Sequence, residues 1–99
     1  MTADKLAASP LQANVHYLRF MVDSRLAEGK RAEFNVNFTD EGVSYAIALR
    51  NGVIAITDEP SAGNTFELSK ADWDALILGT ETFASLDSSL GVLDTAIGR

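Results

Sequence analysis

The order of apolar and polar residues predicts a helix in the first third of the chain. Ser9 and Pro10 are residues that commonly cap and begin a helix, and Gly29 is a common residue just beyond a helix end. We therefore expect one helix from about residue 10 to residue 27. Its apolar face is spaced by four, three and four residues, at Leu11, Val15, Leu18 and Val22.

From Glu33 onward the apolar positions alternate with polar ones, which is the pattern of strands with one buried face. A first strand follows Glu33, residues 40–42 form a turn, and a second strand follows from Val43 to Arg50. Asn51 and Gly52 favour the two positive φ angles of a type I′ turn, so the strand over residues 53–57 should complete an antiparallel hairpin.

The last part of the chain predicts a loop, a fourth strand and two more helices. Residues 58–64 have loop composition, and residues 65–68 form a short strand. Ser69 can cap the next helix together with Asp72, and Gly79 can end it. A final amphipathic helix is predicted from residues that repeat at three and four, namely Phe83, Leu86, Leu90, Leu93 and Ile97. The elements together indicate the α+β class.

Composition and charge narrow the classes of function. The 99 residues and 46% apolar content suit a single domain over residues 1–99. The formal net charge is −6 and there is no dense basic cluster, which argues against binding nucleic acid or an anionic membrane. No stretch approaches the roughly 18 apolar residues of a spanning helix, so we do not expect an integral membrane protein. We expect a cytoplasmic location.

The residues that carry common catalytic or metal chemistry are few. His16 is the only histidine and cysteine is absent, so no zinc site, metal or other cofactor is expected, and His16 is interpreted as a surface or core-edge residue. Asp72 and Asp74 lie two residues apart on different sides of a helix, which favours solvated carboxylates over an acid and base pair. No catalytic residue is identified, and we do not expect an enzyme.

The aromatic and aliphatic residues have two interpretations that the spacing leaves open. They are either ordinary core, or the lining of an apolar slot between the sheet and the helices. The slot hypothesis rests on side chains that share a sheet face or a helix face, namely Phe38, Tyr45, Trp73, Ile77, Phe83 and Leu86.

Two segments of the chain resemble a known family. Residues 34–45, FNVNFTDEGVSY, and residues 49–54, LRNGVI, are similar to the sterol carrier protein type two fold, and more narrowly to the C-terminal domain of bacterial alkyl sulfatases. The resemblance extends over about residues 20–88. It implies a curved antiparallel sheet of four to five strands, covered on one face by helices, with an apolar tunnel for a fatty acyl, sterol or alkyl chain.

The resemblance also limits what can be carried over to this chain. In alkyl sulfatases a separate metallo-β-lactamase-type domain holds the zinc ions, and its histidine motif is absent here. The family's usual short fifth strand and closing helix have no clear counterpart in residues 91–99, so one wall of the implied tunnel is either missing or supplied by a second chain. Two functions stay open: binding of a hydrophobic small molecule, as an accessory to an alkyl sulfatase-type enzyme, or interaction with a partner enzyme or second copy without any small ligand.

Overall fold

The computed structural model describes residues 2–59 and 63–99. Part of the loop expected at 58–64 therefore lies outside the described residues. The helices are α1 (Ala3–Ala8), α2 (Leu11–His16), α3 (Leu18–Met21), α4 (Lys70–Leu78) and α5 (Gly91–Ala96), with 3-10 turns at Phe83–Ser85 and Ser88–Leu90. The strands are β1 (Arg31–Phe38), β2 (Val43–Arg50), β3 (Val53–Thr57) and β4 (Thr65–Leu68). Within the described residues, none of the helices has the length and apolar character needed to cross a membrane.

The four strands form one sheet in the order β3-β2-β1-β4, which confirms the α+β class. Strands β1, β2 and β3 are antiparallel, as predicted, with Phe34 opposite Ile47 and Val36 opposite Tyr45. The expectation of a wholly antiparallel sheet is wrong for β4, which pairs with β1 in parallel. Strands β1 and β4 end side by side, with Phe38 beside Leu68. This parallel direction is stabilised just beyond the two strands, where the carboxylate of Asp40 accepts hydrogen bonds from the Lys70 backbone N–H at 3.1 and 3.2 Å.

One face of the sheet packs against the helices and holds the core. Phe38 of β1 contacts Trp73 of α4, and Tyr45 of β2 contacts His16 of α2. The alternation seen in the sequence explains this arrangement, since every second side chain of a strand points to the same face. The larger buried side chains of the strands are Phe34, Val36, Phe38, Ile47, Leu49, Ile54, Ile56 and Leu68.

The helix expected over residues 10–27 begins near the predicted position, at Leu11, but it is interrupted at Tyr17 and ends at Met21. The capping role expected for Ser9 is also wrong. Ser9 ends α1 instead of capping α2, and its Oγ donates to the carbonyl of Lys5 at 2.7 Å. No side chain caps the start of α2. The helical path ends at Met21 because Val22 is extended, with ψ of 124°, and the Asp23 N–H donates to the carbonyl of Ala96 at 2.9 Å. Three of the four residues of the predicted apolar face, Leu11, Val15 and Leu18, are buried, whereas Val22 lies beyond the helix and is half-buried.

The continuous helix expected over residues 83–97 is also wrong, since two 3-10 turns precede α5. Polar side chains bind backbone N–H groups there and compete with a regular helix. Asp87 accepts from the Ser89 N–H at 3.0 Å, and Asp94 accepts from the N–H groups of Phe83 and Ala84 at 2.9 Å. The apolar spacing still identified core positions, which are Phe83, Leu90 and Leu93.

Three local features predicted from the sequence are confirmed: the capping box at Ser69, the helix end at Gly79 and the turn at Asn51 and Gly52. Ser69 and Asp72 form a reciprocal capping box at the start of α4, and Gly79 ends this helix with φ of 95°. Asn51 and Gly52 have φ angles of 51° and 80° and join β2 to β3. A Cβ atom at Gly52 would lie 3.2 Å from the backbone oxygen of Ser24, so this turn also packs closely against the segment that follows α3.

We predict that Gly52→Ala lowers the free energy of unfolding more than Gly42→Ala does. Both glycines have positive φ, 80° and 66°, so both substitutions carry a backbone cost of about 1 to 2 kcal/mol. Only Gly52 has backbone atoms in the way, since nothing lies within 4 Å of a Cβ at Gly42. Urea denaturation of both variants measures the difference, and equal losses would contradict the close packing against Ser24.

Candidate functional site

Four aromatic rings form a continuous row from near the start of β2 into the core. The ring of Tyr45 lies 5.9 Å from that of Phe38, Phe38 lies 6.0 Å from Trp73, and Trp73 lies 6.0 Å from Phe83, measured between ring centroids. All three contacts are edge-to-face, which is a favourable arrangement for aromatic pairs. Phe38, Trp73 and Phe83 are fully buried, and Tyr45 is half-buried. We call these residues the aromatic row.

The indole of Trp73 is fixed by a hydrogen bond as well as by packing. Its Nε1 donates to the backbone carbonyl of Asn14 at 2.9 Å. A buried tryptophan usually needs such an acceptor, because an unpaired N–H inside the protein is costly. The aromatic row is therefore held in one position relative to α2.

A polar network lies beside Trp73 and joins α1, α2 and α4. Asn14 is fully buried, and its Nδ2 donates to Asp74 Oδ1 at 2.7 Å and to the carbonyl of Leu6 at 2.8 Å. Lys70 Nζ donates to Asp74 Oδ2 at 2.9 Å and to the same carbonyl at 2.8 Å. The interpretation of Asp74 as a solvated carboxylate is wrong, since its side chain is only 15% exposed. The spacing of four between Lys70 and Asp74 was a signal that could have revealed this pair.

The six residues predicted to line a slot occupy related but different places. The aromatic row contains Phe38, Tyr45, Trp73 and Phe83, and Ile77 belongs to the same buried core. Leu86 is partly buried and lines a separate cleft of about 260 Å³ together with Leu68 and Leu76. The structure thus brings four of the six into direct contact in a row, and their role in binding a ligand stays a prediction.

A larger cleft of about 740 Å³ opens where the aromatic row reaches the surface. We call it the Tyr45 cleft. The ring of His16 meets that of Tyr45 edge-to-face at 6.4 Å, which places this histidine at the core edge. Sequence reasoning identified Tyr45 but not the cleft. Its lining consists of Gln12, His16, Gly42, Val43, Ser44, Tyr45, Ile56, Thr57 and Asp58.

The electrostatic environment of the Tyr45 cleft is negative. Burial raises the pKa of the Tyr45 hydroxyl above its ordinary value of 10, and the carboxylates of Asp58 and Glu41 raise this pKa further. Both carboxylates act in the same direction because a negative charge disfavours formation of a second one nearby. Among the residues that the structure describes, no group of three or more His, Cys, Asp or Glu side chains is arranged to hold a metal ion.

Comparison with known proteins places the chain in a family. The alkyl sulfatase C-terminal family model matches residues 1–93, so the chain belongs to that family. This finding confirms the resemblance read from the strand and turn segments. No curated protein sequence matches the chain significantly.

Two solved structures share the fold. One is a double mutant of the sec-alkyl sulfatase PisA1, with a TM-score of 0.73 and 21% identity over 90% of this chain. The other is the stereoselective inverting sec-alkylsulfatase Pisa1 from Pseudomonas sp., with a TM-score of 0.67 and 22% identity over 80% of this chain. The chain spans only 16% and 15% of the length of these two proteins.

We predict that Trp73→Phe lowers the free energy of unfolding by about 1 to 3 kcal/mol, because it leaves the buried carbonyl of Asn14 without its donor. Tyr45→Phe serves as the control, since it removes a hydroxyl from the half-buried end of the same row. Guanidinium denaturation compares the two variants. A loss for Trp73→Phe no larger than that for Tyr45→Phe would show that the indole hydrogen bond contributes little.

Proposed function

We propose that the chain is an accessory, non-catalytic domain of an alkyl sulfatase-type enzyme and binds the hydrocarbon part of an amphiphile at the Tyr45 cleft. The observation that carries this proposal is the family match over residues 1–93, combined with a cleft that opens at the exposed end of the aromatic row. The cleft lies on the side of the sheet that faces the helices, where the resemblance to sterol carrier proteins implies a tunnel.

Three apolar or aromatic side chains in the lining of the Tyr45 cleft, Val43, Tyr45 and Ile56, support contact with a hydrocarbon chain. Val43 and Ile56 lie on the same face of the sheet as Tyr45, because Val43 and Tyr45 are two residues apart on β2 and Ile56 pairs with Ile47. Val43 is 41% exposed, which leaves apolar surface for a ligand to cover. Polar groups of Gln12 and Thr57 occur in the same lining. The cleft thus combines an apolar patch with polar groups that can orient a polar head.

The expected affinity is modest. Burying about ten methylene groups gains roughly 8 kcal/mol at about 0.8 kcal/mol each, and association costs roughly 4 kcal/mol or more. A dissociation constant in the micromolar range or weaker follows from that difference.

The packing of the aromatic row defines two modes of binding that an experiment can separate. A ligand that stays in the Tyr45 cleft leaves Phe38 and Trp73 in place. A ligand that enters the slot predicted from the sequence must displace these rings, because both are fully buried and in edge-to-face contact. Trp73 is the only tryptophan of the chain, so its emission reports on the second mode alone.

The test is a calorimetric titration of the protein with straight-chain alcohols of increasing length, with Trp73 emission recorded in parallel. We expect saturable heat that grows with chain length, and a shift of emission only if the ligand reaches the slot. Tyr45→Ala should weaken binding at least about tenfold, in line with the loss of an aromatic contact. Tyr17→Ala, which removes the other tyrosine from outside the cleft, should leave binding unchanged. Absence of heat for every chain length would overturn the proposal.

A second candidate function, self-association, is favoured by the edge strand β3. This strand has one neighbour in the sheet, β2, and its sequence VIAIT has neither charge nor proline, which are the usual protections of an exposed edge. Val53 is 65% exposed. The partner that fits is a second copy of the chain, because antiparallel pairing centred on Ala55 places Val53 opposite Thr57 of the other copy. The same register brings Asp58 of one copy opposite Gly52, in the turn at the start of β3 of the other copy.

We predict that such a dimer is weakened by Val53→Lys and not by Leu78→Lys. The first substitution places a charge on the edge strand, and the second replaces another exposed apolar residue, 40% exposed, at the end of α4. Analytical ultracentrifugation at increasing protein concentration measures the association. A monomer at every concentration, or equal weakening by both variants, would exclude pairing through β3.

A further inference from the structure

The carboxylates around the Tyr45 cleft are negative, and the one basic side chain in its described lining is the imidazole of His16. Asp58 lines the cleft, and Glu41 lies close enough to raise the pKa of the Tyr45 hydroxyl. None of the described residues that line the cleft is lysine or arginine. The formal net charge of −6 for the whole chain adds to the same field.

This arrangement is poorly suited to a sulfate ester. Proteins hold sulfate and phosphate groups with arginine, lysine or a set of free backbone N–H groups, because the anion must be compensated when it loses water. In the Tyr45 cleft a sulfate would instead approach the carboxylate of Asp58. An alcohol meets no such repulsion, and its hydroxyl can donate a hydrogen bond to a carboxylate.

We propose that the Tyr45 cleft binds single-chain amphiphiles whose head group carries no negative charge, in particular alkyl alcohols, and rejects alkyl sulfates. This inference rests on the proposed function, since it names the ligand class of the same cleft. Hydrolysis of an alkyl sulfate consumes one water and yields an alcohol and hydrogen sulfate. The cleft thereby takes the organic product of such a reaction and not its substrate.

The selectivity follows from charge and is therefore separable from binding of the hydrocarbon chain. The hydrocarbon chain of the ligand contacts Val43, Tyr45 and Ile56 whatever its head group, and these contacts contribute to affinity. Asp58 distinguishes one head group from another. A positively charged head should bind at least as well as the alcohol, because it is attracted by the carboxylates and can also contact aromatic rings.

The test compares decanol, decyl sulfate and decylammonium by calorimetry at low salt, each below the concentration at which it forms aggregates. We expect decanol to bind at least about fivefold more tightly than decyl sulfate, a ratio typical of one partly screened charge interaction. Asp58→Asn should reduce that ratio and leave affinity for decanol unchanged. Asp4→Asn, which removes a carboxylate on α1, should leave the ratio as it is. Circular dichroism confirms that both variants remain folded.

Each outcome bears on one of the two proposals. Tighter binding of decyl sulfate than of decanol, lost in Tyr45→Ala, would overturn the selectivity and leave the binding function standing. A ratio unaffected by Asp58→Asn would overturn the part assigned to this carboxylate. Failure of all three ligands to bind would overturn the proposed function itself.

Discussion

The position of Trp73 determines how the parts of this molecule fit together. Its ring packs edge-to-face on Phe38 of β1 and on Phe83 of the first 3-10 turn, and its N–H is bonded to Asn14 of α2. The side chain of Trp73 thus contacts the sheet, α2 and the first 3-10 turn at the same time. Tryptophan suits this position because it combines a large apolar surface with a directional donor. The Tyr45 cleft opens at one end of the aromatic row, and Trp73 holds that row in place.

The polar network beside Trp73 contributes in a different way. Burying Lys70 and Asp74 removes their hydration, and the attraction between the two charges offsets this free-energy cost only in part. We therefore infer that the pair mainly fixes how the helices pack and adds little to stability. Its shared acceptor, the carbonyl of Leu6, positions α1 against α4. One atom of the network, Asn14 Oδ1, is buried without a hydrogen-bond partner in the part of the chain described. That cost indicates how strongly the surrounding packing fixes Asn14.

Sequence reasoning succeeded where short-range chemistry decides the conformation. The alternation of β1 to β3, the turn at Asn51 and the capping box at Ser69 depend on neighbouring residues, and all three were predicted. It failed where groups distant in the sequence interact, as when Asp40 binds the start of α4 beside the parallel end of β4, or when Asp94 accepts hydrogen bonds from the backbone N–H groups of Phe83 and Ala84. The aromatic row could be anticipated from shared faces. The Tyr45 cleft could not, because it arises from the placement of α2 across β2.

The strand order has a consequence for the route by which the chain folds. Strands β1, β2 and β3 follow one another in sequence and in space, so they can pair by closing short loops. Strand β4 joins β1 at the far edge, with Asn35 beside Thr65, and must close a much longer loop. We expect the three-stranded meander to form first and β4 to dock late, bringing α4 and its tryptophan with it. The hydrophobic core would then be completed by the last strand to arrive.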